Sequence, residues 1–453
     1  MTVAAQPALP AASLVGLFPD GAHLDEHGEL VVGGCRASDL ADRFGTPAVV
    51  VDEDALRRRA RRYVHAMTEH WPNSQVVFAS KSFPCTAVIR TLIEEGLGVD
   101  VAGGGELVTA LAAGADPARL VVHGNAKTTE ELAIAVRAGA GTIVVDNFDD
   151  IDRLERVVGD RRQRVLLRVI PEVSADTYEA MVTGQRGSKF GLSVLDAVRA
   201  AERLRSSSRL QLDGLHVHVG SQLLDTEPFR KAVEALAAIG ELGEHAVYDL
   251  GGGLGARYTY TDRPPTIEEY VTTLTDAART HLPPTARLII EPGRSLVAEA
   301  AMTLYRVVTV KPGPRTLVAV DGGMADNLEP MLYGQRFEAT VTSRVGGGER
   351  CDLVGRHCES GDTLIRDIPL QDPHVDDIIA VPVTGAYCSS LANNYNGARR
   401  PPIIFCRDGE AREVVRRETY DDLLRRDIPI DRPAPGVHHT TPGSGQVALG
   451  GSR

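Results

Sequence analysis

Between about residues 75 and 292, eight short β-rich runs alternate with longer helical patterns, and this alternation constrains the fold of the 453-residue chain more than any other feature. The runs are "VVFAS" ending near Ser80, "GVDVA" near Ala102, "LVVHG" near Gly124, "TIVVD" near Asp146, "VLLRVI" near Ile170, "GLHVHVG" near Gly220, "AVYDLG" near Gly251 and "RLIIEP" near Pro292. Strands buried on both faces read as nearly continuous hydrophobic stretches, as these do. With helices such as "PCTAVIRTLIEEG" and "TEELAIAVRAG" between them, the pattern predicts a closed (β/α)8 TIM barrel. The alternative is an open, doubly wound sheet.

Beyond Arg294 the texture changes to "MTLYRVVTVK", "TLVAVDGG", "FEATVTSRV", "IIAVPVTGAY" and "PPIIFC", with Gly and Pro between them. The expected fold is therefore α/β plus β. A barrel over residues 48–296 is followed by a C-terminal β-rich domain, sandwich- or barrel-like, over 297–430. Residues 1–47, with "GELVVGG", are expected to pack against that β domain. The segment "RRETYDDLLRRDI" reads as helix, and the tail 431–453 is Pro- and Gly-rich without apolar periodicity, which predicts disorder.

The net charge of −12 argues against a nucleic-acid surface or a polybasic membrane anchor, because either needs clustered positive charge. Six cysteines without a CxxC pair indicate neither a disulfide framework nor a metal site. No stretch of ~18 apolar residues is free of charge, and "MTVAAQPALPAASLVG" has no basic or sustained apolar region of a leader. A cytoplasmic protein acting on small molecules is expected.

In a (β/α)8 barrel the C-terminal rim gathers catalytic side chains. The predicted strands deliver Lys81, Asp100, His123, Asn125, Asp146, Arg168, His216, His218, Ser221, Glu291 and Arg294 there. Any one of these alone would be a solvated end or a satisfied core residue; their convergence on one rim is the signal. Strand seven ends in "DLGGGLG", whose glycines let the backbone approach an anion, and "EPGR" follows strand eight with a cation and another glycine, Gly293. A lysine, a carboxylate and a phosphate cradle on one rim match the needs of pyridoxal phosphate: Lys81 for its aldehyde, Glu291 for its ring nitrogen, and Gly251 to Gly253 for its phosphate.

The residues also resemble a known family. "FASKSF", "VDVAGGGEL", "GSKFGL", "HVHVGSQ", "DLGGGLG", "EPGRSLV", "CESGD" and "TGAYCSSLANNYN" are similar, in order over about residues 46–425, to successive motifs of diaminopimelate decarboxylases, fold-type III pyridoxal phosphate enzymes. The resemblance implies Lys81 as the cofactor-binding lysine, Glu291 at the pyridine nitrogen, His218 on the ring face, and Ser221, Gly251, Gly252, Gly253 and Arg294 around the phosphate. Asp100 and Gly293 belong to the same cofactor set, and Tyr387 reaches cofactor or substrate. Cys358 corresponds to the proton donor and Glu359 to the contact with the substrate's distal amino group. Both usually come from a second subunit, which implies a homodimer with shared active sites.

The resemblance breaks in "VDGGMADNLEPMLYG", where the family typically has an arginine that holds the distal carboxylate together with the tyrosine matching Tyr333. Here Glu329 stands at that place, and an anion set against a carboxylate is unfavourable when desolvated. The expected substrate is therefore an amino acid related to diaminopimelate, with an amine, amide, ester or carrier linkage at its far end, bound among Arg294, Glu329, Tyr333, Glu359 and Tyr387. Smaller departures are Arg356 for a usual proline and Tyr178 for a common histidine. The alternatives are an authentic meso-diaminopimelate decarboxylase making lysine, a racemase on the same scaffold, a non-catalytic carrier of the cofactor and a cofactor-free barrel.

Overall fold

The computed structural model describes residues 15–170, 188–239 and 242–428. The predicted Tyr178 departure and the 431–453 tail lie outside these residues. The barrel strands are β1 (Ser74–Ala79), β2 (Gly98–Val101), β3 (Leu120–Val122), β4 (Thr142–Val145), β5 (Gln163–Arg168), β6 (Leu210–His216), β7 (Val247–Asp249) and β8 (Arg287–Ile290). They form a closed barrel in chain order, with β8 beside β1, and every neighbouring pair is parallel. All eight sequence runs contribute to these strands, the sixth only through Gly214 to His216.

The pleat explains why the runs are hydrophobic throughout. Val77, Val121, Val144, Leu166 and Ile289 form a small cluster of their own, while Val76, Phe78, Val99, Ile143, Val165 and Leu288 join the larger core that includes the surrounding helices. Successive residues of a strand point to opposite faces, so neighbours such as Val76 and Val77 are both buried, each in a different apolar layer.

The second domain contains β9 (Ala301–Lys311), β10 (Thr316–Val320), β11 (Glu349–Val354), β12 (Thr363–Leu370), β13 (Ile378–Pro382), β14 (Ile403–Arg407) and β15 (Glu410–Val415). The strand Ala48–Asp52, taken from sequence as the start of the barrel segment, lies in this sheet instead, antiparallel to β9 and parallel to β14. Its five consecutive buried residues fill a central position between the two. The strand order is β12, β11, β10, β9, Ala48–Asp52, β14, β15, with β13 also pairing with β9. The predicted strand "FEATVTSRV" shortens to Thr340–Val341, because the chain turns at once through the Arg344 N–H to Val341 carbonyl bond.

Leu30, Val32, Cys35, Ala37 and Leu40 pack with Met302, Leu304, Ala380, Ile404 and Cys406, so the described part of the N-terminal segment covers one face of this sheet. Asp52 ends its strand by capping the helix Glu53–His70, accepting the Ala55 N–H at 2.8 Å. Glu53, also buried, pairs with Arg57 at 2.8 Å and with Arg412 of β15 at 2.5 Å, tying the first helix of the barrel to the far edge of the sheet.

Candidate active site

A cavity of about 310 Å³ opens at the C-terminal rim of the barrel. It is lined by Ala79, Lys81, Asp100, Arg168, Lys189, Phe190, His218, Ser221, Gly253, Glu291, Gly293, Arg294, Tyr333 and Tyr387. Ten of the sequence-predicted cofactor and substrate residues are thus brought together: Lys81, Asp100, His218, Ser221, Gly253, Glu291, Gly293, Arg294, Tyr333 and Tyr387.

Lys81 sits in the single helical turn Ser80–Ser82 that ends β1. Ser80 Oγ donates to Glu106 at 3.0 Å, and Ser82 is gripped through its carbonyl by the Tyr387 N–H at 2.8 Å. The flanking serines are buried while the Lys81 side chain is exposed to the cavity. Burial pulls its ammonium down, but Tyr387, Asp100 and Glu291 outweigh that and hold it above its ordinary value.

Glu291, one residue past β8, is the centre of a buried polar cluster. Its Oε1 meets His123 Nε2 at 2.5 Å and its Oε2 lies 3.4 Å from His216 Nε2. The two imidazoles pack edge to face with centroids 4.7 Å apart. Burial alone would raise the Glu291 carboxyl, yet the two histidines hold it well below the usual range. His123 responds in kind: burial lowers it, and Glu291 and Asp100 raise it by more. His216, by contrast, is pushed by burial down to about 3 and stays neutral. Burial, with Glu291 close by, drives Asp249 well above the carboxylate range, and burial lifts Asp100 to about 7. One ionised carboxylate is therefore held beside Asp249, which keeps its proton at neutral pH, and Asp100, which titrates there.

The Gly-rich turn divides its labour. The Gly251 N–H donates to Asp249 Oδ1 at 3.0 Å and the Gly252 N–H to His218 Nδ1 at 3.2 Å. Of the three, only Gly253 lines the cavity, so Gly251 and Gly252 act on the site through Asp249 and His218. A Cβ on Gly252 would lie 2.1 Å from the Glu291 carbonyl oxygen, and one on Gly253 2.4 Å from that of Gly220, which is why the backbone can run this close only with glycine. His218 is lowered well below its ordinary value by burial and by Lys81 and Arg168, so its ring is neutral and its orientation is set by the Gly252 N–H.

Arg294 closes the other end. It donates to Ser221 Oγ at 3.3 Å and to the Tyr258 hydroxyl, and its guanidinium lies 4.7 Å from the Tyr387 ring centroid. Glu329, 0% exposed, takes up the same Nη1 at 3.2 and 3.3 Å. Glu329 is thus not one of the cavity-lining residues; it stands behind Arg294 and cancels its charge. Cys358 and Glu359 are exposed and do not line the cavity either.

Sequence reasoning assigned no role to Lys189 or Phe190, although both line the cavity and belong to the "GSKFGL" motif it had singled out. Arg168, noted only as a rim residue, stacks 4.5 Å from the Phe190 centroid. Tyr258 went unnoticed, because "GARYTY" has no spacing that separates it from an ordinary loop.

The residues present suit pyridoxal phosphate: a lysine opens into the cavity, an ionised carboxylate stands among buried acids whose Asp100 Oδ1 and Asp249 Oδ2 have no hydrogen-bond partner among the described residues, and a glycine-lined corner is too tight for side chains. Comparison with known proteins agrees. Residues 53–298 match the family model of the pyridoxal-dependent decarboxylase, pyridoxal binding domain. The chain is 44% identical to the diaminopimelate decarboxylase of Actinosynnema pretiosum subsp. auranticum over 91% of its own length and 95% of the relative's. It is 42% identical to that of Bacillus subtilis, over 90% and 97%. The solved diaminopimelate decarboxylase of M. jannaschii in complex with L-lysine superposes with a TM-score of 0.85 at 30% identity, covering 91% of this chain and 98% of that one. Among the described residues no helix is long and apolar enough to cross a membrane. An eight-stranded parallel barrel with its lysine in the turn after the first strand, a mixed β domain and whole-length similarity make this chain a member of the diaminopimelate decarboxylase family of pyridoxal phosphate-dependent amino-acid decarboxylases.

Proposed function

We propose that the chain decarboxylates meso-diaminopimelate to lysine. The reading is supported by the whole-length relatives that carry this name, and the observation that carries it is Lys81 sharing one cavity with a Glu291 carboxylate kept ionised by His123. Pyridoxal phosphate, when bound, accepts the electron pair left on Cα as carbon dioxide departs. Lys81 would hold the cofactor's aldehyde and could serve as a local base at Cα. Glu291 holds a proton on the ring nitrogen, which favours electron withdrawal. The neutral His218 ring would pack against the cofactor, and Ser221, Gly253, Gly293 and Arg294 would hold its phosphate. The proton returned to Cα comes from the Cys358 thiol and the distal amino group meets Glu359, both supplied by a second copy of the chain in a homodimer. The exposure of Cys358 and Glu359 supports that arrangement, because neither lines the cavity of its own chain.

A second reading is favoured by the buried Arg294–Glu329 pair. A guanidinium already neutralised by a carboxylate is a poor receptor for another carboxylate, so the substrate would instead carry an amine, amide, ester or carrier linkage at its distal end. Measuring carbon dioxide release from meso-diaminopimelate alongside amine-ended and carrier-bound amino acids separates the two. Efficient release with lysine as product supports the first reading, and poor release with turnover of another acid supports the second. Retention of every carbon with loss of optical purity would replace both with a racemase.

A further inference from the structure

The loop Gly355–Asp362, which carries Cys358 and Glu359, is organised around one buried carboxylate. Asp362 is 4% exposed. Its Oδ1 accepts the Met324 N–H at 2.7 Å, and its Oδ2 accepts both the His357 backbone N–H at 2.9 Å and the His357 ring at Nδ1, 2.7 Å away. The fit around that carboxylate is close. A Cβ on Gly355 would lie 2.1 Å from Asp362 Oδ2, and one on Gly323, whose φ is +155°, 2.5 Å from the same atom. A turn that merely reverses the chain needs no such centre, since its polar groups are satisfied by local backbone and solvent.

The ring that Asp362 orients is a platform. His357 stacks on Tyr395 with centroids 5.9 Å apart and planes 22° apart. The turn containing Tyr395 also holds the next residue, because Asn396 Oδ1 accepts the Cys358 N–H at 2.9 Å. On the other side the Arg356 N–H donates to the Gly322 carbonyl at 3.0 Å. Cys358 is therefore held at its own N–H and through the two residues before it while its thiol stays exposed, and the chain's other five cysteines are buried.

We propose that Asp362 and His357 are positioning residues for Cys358: the carboxylate fixes the ring, the ring and the Tyr395–Asn396 turn fix the loop, and the loop fixes where the thiol stands. The inference rests on the reading of Cys358 as proton donor. A displacement of about 1 Å in a reacting group can cost on the order of 100-fold in rate, so a donor on an exposed loop needs such a brace.

The test is the Asp362→Asn variant of the full-length, cofactor-loaded protein. Asparagine keeps the shape and one acceptor, but turns an amide N–H group toward the His357 donors or toward Met324. The expected result is a kcat lower by about 10- to 100-fold, with KM and the visible absorption of the bound cofactor unchanged. The rate at which iodoacetamide modifies the single exposed thiol should change several-fold, with Cys358→Ser giving the background. His357→Ala should behave like Asp362→Asn, whereas His357→Asn, whose amide can reach the same carboxylate, should recover most of the loss. Unchanged kcat and thiol reactivity in Asp362→Asn would overturn the proposal, as would a parallel loss of KM, cofactor absorption and thermal stability, which marks a merely structural residue. Full kcat in Cys358→Ser would remove the donor reading itself, while the thiol arm would still report whether Asp362 positions that side chain.

Discussion

The barrel rim and the β domain treat several of their buried carboxylates in opposite ways. On the barrel side Asp100 Oδ1, Asp146 Oδ2 and Asp249 Oδ2 are buried without a hydrogen-bond partner among the described residues, and His216 has neither ring nitrogen hydrogen-bonded. On the β-domain side both oxygens of Asp362, Asp326 and Glu329 are engaged: Asp362 by Met324 and His357, Asp326 by the Gly323 N–H and the Tyr305 hydroxyl, Glu329 by Arg294 and Tyr258. Unsatisfied buried groups cost stability, so the unpaired Asp100 oxygen on the cavity wall marks bonding capacity kept for an incoming molecule. The barrel is built to receive, and the β domain to hold its own chain in place.

The contrast can be broken most severely at Lys81. Lys81→Ala should lose on the order of 10⁴-fold or more in turnover and abolish the visible band of lysine-bound cofactor, with little change in melting temperature, because the side chain contributes to the site and not to the core. Next comes Glu291→Gln, which removes the carboxylate that pairs with both His123 and His216. A loss of about 100- to 1000-fold is expected, with the cofactor spectrum shifted at neutral pH. If activity survives, the ring nitrogen does not depend on this group.

A smaller effect is expected across the seam between the domains. Glu329→Gln should unmask Arg294 and raise kcat/KM for a dicarboxylic substrate relative to an amine-ended one by about tenfold, while lowering thermal stability because a buried guanidinium loses its counter-ion. A fall in that ratio would mean that Glu329 itself contacts substrate. The smallest effect is a pH dependence within the β domain. Burial pushes Asp326 up to about 7, whereas an unfolded aspartate titrates near 3.9. The native state therefore keeps a proton that the unfolded chain releases, and stability should fall as pH rises from about 4 to about 7. Asp326→Asn should flatten that part of the melting-temperature profile; an unchanged profile would show that Asp326 is not its source.

The barrel was legible because each strand must be apolar on both faces and must end in a turn, which writes eight separate hydrophobic words into the chain. Lys81 and Glu291 were legible for the same reason: a charged residue just past such a word sits on the rim. What sequence could not convey was who partners whom. Glu329 read as a charge placed against the substrate, yet it meets Arg294, 35 residues earlier and on the other domain. Gly251 and Gly252 read as phosphate donors, yet their N–H groups go to Asp249 and His218, and nothing local distinguishes a turn facing a ligand from one facing a histidine. Ala48–Asp52 read as the beginning of the barrel because it is hydrophobic and precedes a helix; its place in the other sheet depends on Ala301 and Ile403, hundreds of residues away.

That strand has a topological consequence. Val51 pairs with Ala301, so the chain leaves the β sheet and returns to it at adjacent positions, and the whole barrel is an excursion between two neighbouring strands. The β domain is thus discontinuous in sequence: during synthesis its central strand is made first and must wait for the entire barrel before its partner exists. Entry and exit side by side also deny the two domains a single-stranded hinge at this seam, because any opening there would have to unzip the ladder between Ala48–Asp52 and β9. A ribosome-released fragment ending before Ala301 should expose Ala48–Asp52, apolar over its first four residues, as an unpaired strand, the kind of edge that recruits other chains.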